Sequence, residues 1–378
     1  MPFSVAGRTE QTDRGPSKTV GYSMGPDLSH VTAFTGHVSS GAPQPRSFYA
    51  LDPPGEHYYL FRPTRAAFRT VAGMIAGKGL KRRLGGYTLR VCGIVPPLAR
   101  LVPMISARSI TIASDVDVDV AVFSNRTRLV DLDERIVYTI PAGDPSRVVD
   151  EARAREGLPT GINAPELYEY DLDYPYLAEQ FVTGHHPRSP VEGWPFLLDA
   201  LEQLTHLYRI DPEPVTVSGI VEDARSILDE RGLLPKAPFS QAFALLTELD
   251  LPETLFRARA HRDLHTRNVL VDGERVYIVD WESAGRDLVI RDLFRPFTIA
   301  HYDTRDPTAV IQLCTFEGEG ERIVDDYLKG IGEYAMPDPG RYSGLPLLYL
   351  LHSLAEKERS EFWDSKRELL AAVVDRLD

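Results

Sequence analysis

The stretch from Ala260 to Glu282, AHRDLHTRNVLVDGERVYIVDWE, constrains the fold more than any other part of the chain. Within it, Asp263 and Asn268 stand five positions apart, and two β-like runs follow on either side of Asp272-Gly273. The runs are Val269 to Val271 and Arg275 to Val279. Because Asp-Gly between two apolar runs is a strong hairpin signal, the sequence predicts a hairpin that returns Asp280 to the side of Asn268.

Composition limits the function classes that remain open. The chain has 378 residues, enough for two to three domains, and a formal charge of −13 argues against nucleic-acid binding. Two distant cysteines, Cys92 and Cys314, make a structural zinc or a disulfide framework improbable. Scarce lysine on an acidic background is typical of proteins from halophiles. We find no apolar run long enough for a spanning helix, and we expect a cytoplasmic protein.

The order of patterns along the chain divides it into four parts. Residues 1–45, rich in Gly, Ser, Pro and Thr, predict a flexible tail. Residues 46–108 form an N-terminal extension, with a hairpin of Ser47 to Leu51 and His57 to Phe61 and a helix from Thr64 to Leu84 that ends at Gly85-Gly86. Residues 109–184 are strand-rich, and residues 185–378 are mainly helical.

In the strand-rich part, apolar and polar residues alternate with a period of two. The predicted strands are Asp115 to Val120, Thr127 to Leu132, Arg135 to Ile140 and, later, Tyr176 to Thr183. A helix from Ser146 to Glu156 follows Asp144-Pro145 and stops at Gly157. The alternating aspartates lack the glycine and terminal glutamate of a calcium loop, which favours a solvent-facing strand.

With this order in hand, the chain resembles the aminoglycoside phosphotransferase and choline kinase family. The resemblance rests on two features. His261-Arg262-Asp263 and Asn268 fit the pattern H-x-D-x-x-x-x-N, and Asp280 follows the hairpin. His265 and Trp281 favour this small-molecule branch over protein kinases. The resemblance covers about Ser109 to the C-terminus and implies an α+β, bilobal protein-kinase-like fold, here preceded by an N-terminal extension.

The resemblance also implies a reaction. It assigns Asp263 to the acceptor hydroxyl, and Asn268 and Asp280 to Mg²⁺. The phosphate donor is ATP or GTP, and the acceptor is a small hydroxylated molecule such as a sugar, amino sugar or amino alcohol. Four residues are expected in supporting roles: His261, His265, Glu282 and Asp292. Alternatively, Glu282 has no part in the reaction and makes only local contacts beside Trp281.

The strand-rich part departs from the family at one position. Kinases place a lysine on the third strand, paired with a helix glutamate, but no lysine lies between Arg82 and Pro235. The lysine position falls near Thr139, and Glu151 or Glu156 is the expected partner; we assign Thr139 and Glu151 to cofactor binding. Arg126, Arg128 and Arg147 are candidate substitutes for the lysine, with a different reach and geometry.

Two functions therefore remain open at this point: an active small-molecule kinase, or a nucleotide-binding pseudokinase with a regulatory or scaffold role. The predicted helices after Pro187 are where this family usually builds its acceptor site. Their carboxylates, Glu222, Asp223, Asp229 and Glu230, either attract an amine or form a solvated helix face. The sequence itself does not identify the acceptor.

Overall fold

The structure is a computed structural model. It describes residues 28–51, 58–75, 80–94, 99, 102, 105–113, 116–124, 126–187, 189–315, 317–318, 322–323, 325–326, 333–337, 342–356 and 361–377. Two compact units are present. The first contains the described residues up to Arg46 and those between Ser109 and Val116, and the second contains the rest.

The first unit contains a helix, α1 (Ser29–Val38), where the sequence predicts a flexible tail. That prediction is wrong for these residues, and residues 1–27 lie outside the described part. Val31 and Phe34 are buried on one face of α1. The Thr32 hydroxyl donates to the carbonyl of Thr111, and the Thr35 hydroxyl accepts from the amide of Ala113. Contacts with residues that are 78 and 79 positions away hold this helix, so local composition does not reveal it.

The predicted hairpin of the extension is present. Strand β1 (Pro43–Leu51) pairs antiparallel with β2 (Tyr58–Phe61), with Ala50 opposite Leu60. The single predicted helix is instead two helices, α2 (Arg65–Ile75) and α3 (Leu80–Ile94), and α3 continues through the two glycines expected to end it. Burial of Leu89 and Cys92 on α3 outweighs the low helix propensity of glycine.

The strand-rich lobe of the second unit is one antiparallel sheet in the order β1-β2-β4-β5-β6-β8-β7. The remaining strands are β4 (Val120–Phe123), β5 (Arg126–Asp131), β6 (Ile136–Pro141), β7 (Leu167–Asp171) and β8 (Tyr176–Gln180); β3 (Ile105–Ala113) and β1 cross from one unit into the other. Helix α4 (Ser146–Glu156) has the predicted bounds. Because β2 pairs with β4, the extension is part of this lobe and not a separate domain.

The alternating segment from Asp115 is not a strand over its described residues, since β4 begins only at Val120. Asp117 lies 2.6 Å from the guanidinium of Arg62, and the Asp119 carboxylate accepts from the amide of Leu132. These aspartates therefore bind residues that follow β2 and β5, and their alternate spacing resembles that of a strand.

The helical lobe follows β8. Its helices are α5 (Trp194–Tyr208), α6 (Val217–Glu230), α7 (Phe239–Leu245), α8 (Ile290–Thr304), α9 (Thr308–Thr315), α10 (Leu345–Glu356) and α11 (Glu361–Leu377). A three-stranded sheet, β13-β10-β9, and a two-stranded hairpin, β11-β12, complete it. These strands are β9 (Glu213–Thr216), β10 (Thr254–Ala260), β11 (Val269–Asp272), β12 (Arg275–Ile278) and β13 (Gly285–Leu288).

A large apolar core fixes this lobe, with Trp194, Leu204 and Trp281 fully buried in it. The fold class expected from the sequence is confirmed: a strand-rich lobe with an antiparallel sheet precedes a mainly helical lobe. No helix within the described residues has both the length and the apolar character needed to cross a bilayer.

Candidate active site

The loop after β10 holds two of the predicted site residues together. The side-chain amide of Asn268 donates to the backbone carbonyl of Asp263 at 2.9 Å and lies 3.4 Å from its carboxylate. A 3₁₀ turn, Thr266–Asn268, closes the loop. The His265 side chain caps this turn, because its Nδ1 accepts from the amide of Arg267. The loop geometry is thus made by its own side chains.

His261 lies beneath this loop and is fully buried. Its Nδ1 accepts from the amide of Asp263 at 3.3 Å, and its Nε2 lies 3.1 Å from the carbonyl of Val279. This pairing requires the neutral tautomer with the proton on Nε2. Burial lowers the pKa of His261, which agrees with a neutral ring. The ring also packs edge-on against Trp281, so His261 joins the catalytic loop to the segment after the hairpin.

Asp292, in the first turn of α8, supports the same loop from the other side. Its carboxylate accepts from the amides of His261 and Arg262, at 3.0 and 2.7 Å, and from the hydroxyl of Tyr208 at 3.0 Å. Arg262 has a φ of +69°, in the left-handed region that costs a side-chain-bearing residue about 1 kcal/mol or more. The hydrogen bonds to Asp292 hold the backbone in this conformation. Burial raises the pKa of Asp292.

The predicted hairpin returns the chain to Asn268 as expected. Strands β11 and β12 pair antiparallel, with Val269 opposite Ile278, and Gly273 in the turn has a φ of +63°. The amide of Val279 then donates to the carbonyl of Asn268 at 3.0 Å, which places Asp280 at the next position. Asp280 itself has a left-handed backbone, with a φ of +66°. The structure therefore brings Asp263, Asn268 and Asp280 together.

Arg126, the first residue of β5, reaches across the cleft between the lobes. One guanidinium nitrogen forms an ion pair with Glu151 of α4, and the other lies 2.6 Å from Asp280. Glu282 lies 3.3 Å from the same guanidinium. Arg126 and Glu151 are almost completely buried, with exposed side-chain fractions of 5% and 4%. This buried guanidinium, with three carboxylates around it, therefore connects the two lobes at the cleft.

The charges in this group are strongly perturbed. Burial disfavours the charge on Arg126, but Glu151, Asp280 and Glu282 outweigh it and raise the pKa of the guanidinium. Burial would raise the pKa of Asp280, yet the positive charges of Arg126 and Arg128 lower it overall. Burial raises the pKa of Glu151, and Arg126 opposes that shift. Asp280 is therefore a carboxylate at neutral pH.

The Asp263 carboxylate is held by Arg295 of α8, a residue that the sequence analysis did not select. Its Nε and Nη2 lie 2.7 and 2.5 Å from Asp263 Oδ1, and His265 Nε2 lies 3.7 Å from Oδ2. Burial alone would raise the pKa of Asp263, but these two neighbours lower it. The signal in the sequence is an arginine one helical turn after Asp292.

The remaining predicted residues occupy separate positions. Thr139 is 1% exposed inside β6, with Arg128 and Leu177 as its strand partners. Of the three arginines considered as substitutes for the lysine, Arg126 contacts Glu151 and Asp280, and Arg147 lies 3.5 Å from Glu282. Arg126 leaves a different strand from the expected position, which is why position matching within β6 does not find it.

Comparison with known families shows the family to which the chain belongs. The sequence model of the phosphotransferase enzyme family, APH, matches residues 120–342, more than half of the 378 residues. The chain belongs to this phosphotransferase family. The match begins at β4 and includes every residue of the site described above. The resemblance to aminoglycoside phosphotransferases and choline kinases is thereby confirmed.

Solved structures with a similar fold come from the same group of enzymes. A choline/ethanolamine kinase family protein from Mesorhizobium loti is 17% identical, with 68% of this chain and 85% of that chain covered and a TM-score of 0.35. Choline kinase LicA from Streptococcus pneumoniae is 12% identical, with 66% and 89% covered and a TM-score of 0.41.

A thermostable mutant of the aminoglycoside phosphotransferase APH(4)-Ia, in a ternary complex with ADP and hygromycin B, is 15% identical, with 67% of this chain and 91% of that chain covered and a TM-score of 0.39. Among curated protein sequences, none matches the chain.

Proposed function

We propose that the protein transfers the γ-phosphate of ATP or GTP to a hydroxyl of a small molecule, with Mg²⁺ as the metal. The observation that carries this proposal is the ion pair of Arg126 with both Glu151 and Asp280. It supplies a buried positive charge beside Glu151 and Asp280, as the lysine of a kinase does from another strand, and this supports activity. Family membership supports phosphotransfer as the reaction class.

The donor atoms at Asn268 and Asp280 fit a magnesium ion. The amide nitrogen of Asn268 is engaged by the carbonyl of Asp263, which leaves the amide oxygen as the free ligand atom. Asp280 is ionised, and Arg126 contacts only its Oδ1. Carboxylate and amide oxygens are the ligands that Mg²⁺ prefers, so Asn268 and Asp280 would hold an ion that could neutralise charge on the nucleotide phosphates.

Asp263 acts on the acceptor. Its lowered pKa makes it a weak base, so its main task is to accept a hydrogen bond from the acceptor hydroxyl and align it for in-line attack. It takes up the hydroxyl proton only as the new bond to phosphorus forms. Arg295 and His265 fix the direction of the carboxylate and prevent it from turning away.

Arg126 takes the place of the missing lysine towards the nucleotide phosphates, and Glu151 orients it. A guanidinium is planar and presents several donors, so it satisfies Glu151 and Asp280 at once and keeps its remaining donors for phosphate oxygens. Thr139 then has no direct part in binding phosphate, because its buried position within β6 is a packing position.

The test measures nucleoside diphosphate formation with Mg²⁺ and ATP or GTP, at low and high salt, over a panel of hydroxylated acceptors. We expect Asp263→Asn to lower kcat by a factor of at least about 100 while nucleotide binding persists. Asp211→Asn, which changes an exposed carboxylate paired with Arg286, is the matched control and should leave kcat unchanged.

A wild-type protein that binds nucleotide but shows no turnover above that of Asp263→Asn would instead be a nucleotide-binding pseudokinase. A wild type that binds no nucleotide would overturn both functions. The free, buried thiols of Cys92 and Cys314 fit the reducing cytoplasm that we propose as its location.

A further inference from the structure

A cavity of about 700 Å³ opens beside the catalytic loop, between α4, β10 and α8. This volume lies within the range of small-molecule sites, which is roughly 300–1,000 Å³. Asp263 and Glu282 line it, so the cavity reaches the residue that is proposed to act on the acceptor. The nucleotide-side residues Arg126, Asn268 and Asp280 are not among its described lining residues.

The lining is unusually positive. Six arginines contribute to it: Arg147, Arg153, Arg259, Arg262, Arg291 and Arg295. Only three lining residues are carboxylates, namely Asp150, Asp263 and Glu282, so the arginines outnumber them by three before carboxylates outside the lining are counted. The whole chain carries a formal charge of −13, so this excess does not follow from composition. A concave surface with one sign of charge concentrates ligands of the opposite sign.

Some of these arginines already have partners. Arg291 forms ion pairs with Asp287 and Glu356, and Arg262 lies 3.0 Å from Asp287. These two guanidiniums are neutralised within the protein, and they build the wall of the cavity. They do not by themselves call for a ligand.

Arg153 and Arg259 differ, because neither is paired with a carboxylate in the part of the chain that the structure describes. Arg259 donates to the carbonyls of Ala154 and Gly157, both at 2.8 Å. These bonds hold its guanidinium at the end of α4 without neutralising it. Partial burial lowers the pKa of Arg259, as expected for a cation with no counter-charge. Arg153 is exposed on α4 at the same cavity.

Arg295 supplies a further observation. The residue is 7% exposed, and its Nη1 is buried with no hydrogen-bond partner among the described residues. Its Nε and Nη2 are occupied by Asp263. A buried guanidinium donor left unpaired is costly, at about 1–3 kcal/mol, so an unpaired donor on a side chain that lines the cavity indicates a missing acceptor of hydrogen bonds.

We propose that this cavity binds the acceptor and that the acceptor carries an anionic group, a phosphate or a carboxylate, held by Arg153 and Arg259. The proposal rests on the proposed function and names its substrate class. The acceptor hydroxyl lies at Asp263, with Arg295 donating to the acceptor through Nη1. None of the α6 carboxylates considered for an amine, Glu222, Asp223, Asp229 and Glu230, is among the described lining residues.

The transfer is balanced within this arrangement. The hydroxyl oxygen bonds to the γ-phosphorus while the bond from that phosphorus to the bridging oxygen breaks. The nucleoside diphosphate leaves with the electron pair, and the hydroxyl proton passes to Asp263 and then to water. The anionic group of the acceptor takes no part in these bonds and serves only for binding.

The first experiment compares small hydroxylated acceptors of different charge: glycerol, glycerol 3-phosphate and glycerate, with choline as the cation. We expect kcat/KM for at least one anionic compound to exceed that of glycerol by about tenfold or more, the equivalent of one charge-assisted hydrogen bond. Comparison of glycerol 3-phosphate with glycerate shows whether the site prefers a phosphate or a carboxylate. Equal use of all four compounds, or a preference for choline, would overturn the proposal.

The second experiment uses variants. Arg153→Gln removes an exposed charge and should raise KM for the preferred anionic acceptor about tenfold, with KM for the nucleotide unchanged. Arg259→Gln should act likewise, and Arg259→Lys should recover part of the loss because it keeps the charge. Arg286→Gln, which alters an exposed arginine outside the cavity, is the control. A rise in the nucleotide KM alone would assign the cavity to the nucleotide and contradict the proposal.

A binding measurement separates this proposal from the proposed function. Inorganic phosphate is titrated calorimetrically into the protein with saturating ADP and Mg²⁺, so that the nucleotide phosphates already occupy their own site. Phosphate binding that Arg153→Gln weakens and Arg286→Gln does not would support the anion site even for a protein without turnover. If phosphate does not bind, or if Arg153→Gln binds it equally well, the anion site is wrong whatever the catalytic activity.

Discussion

Arg126 Nη2 lies 2.6 Å from Asp280 Oδ1, an ion pair between residues that are 154 positions apart in the chain. It joins the first residue of β5 to the segment that follows β12. Because Glu151 of α4 contacts the same guanidinium, one side chain connects both lobes at the cleft.

We expect Arg126→Met to reduce kcat/KM for the nucleotide by about 100-fold, because the variant loses the charge that faces the phosphates and the group that orients Asp280. Steady-state kinetics measure this, and Arg126→Lys should retain part of the activity. Thermal unfolding should also show a loss of about 3 kcal/mol for the methionine variant, since Glu151 is left buried without its partner. A methionine variant with wild-type kinetics would show that Arg126 has no role towards the nucleotide.

The second prediction concerns the acid limb of the activity profile. Arg295 and His265 lower the pKa of Asp263, so its carboxylate form persists below the usual aspartate value of about 3.9. The wild type should show no loss of kcat from Asp263 protonation above that pH. Arg295→Ala removes the guanidinium that lies 2.5 Å from the carboxylate and should move the acid limb to higher pH, measured as kcat against pH. An unshifted limb in this variant would disprove the coupling.

Asp292 provides a prediction about stability. Asp292→Ala leaves the amides of His261 and Arg262 and the hydroxyl of Tyr208 without their acceptor in a buried place. We expect the free energy of unfolding to fall by about 3 kcal/mol, measured by urea denaturation. Tyr208→Phe removes one of the three bonds and should cost only about 1 kcal/mol. Equal losses in the two variants would contradict this division.

The fourth prediction concerns alkaline pH. Asp287 and Glu356 lie 3.5 and 3.3 Å from His352 and raise its pKa to about 9, against the burial that opposes them. A pKa raised above the unfolded value of about 6.5 adds stability that is complete below pH 6.5 and is lost as pH rises through 9. We expect His352→Gln to be less stable than wild type by about 2 kcal/mol at pH 6 and nearly equal at pH 10. A pH-independent difference would disprove the ion-pair contribution.

Short-range chemistry explains what the sequence predicts well. Helix α4 has its predicted bounds because Pro145 and Gly157 mark its ends within a dozen residues. The β11-β12 hairpin follows from Asp272-Gly273 in the same way, and it carries Asp280 to its place. Motif spacing then identifies Asp263 and Asn268 before any tertiary contact is known.

Long-range contacts explain what the sequence does not predict. Arg126 is one of three candidate arginines until the pairing of β5 with β6 and the packing of α4 are known. Arg295 reaches Asp263 from a helix 32 positions later, and its spacing from Asp292 alone does not reveal this contact. The cavity arginines come from α4, β10, the loop after β10 and α8, so their common charge is visible only after folding.

The pairing of β2 with β4 has a mechanical consequence for nucleotide entry. With Tyr58–Phe61 on one side and β5 on the other, β4 has hydrogen-bonded neighbours along both edges. The β4-β5 hairpin, whose turn leads into Arg126, cannot bend outward alone without breaking the ladder to β2. We therefore expect this hairpin and β2 to move together when the proposed nucleotide binds.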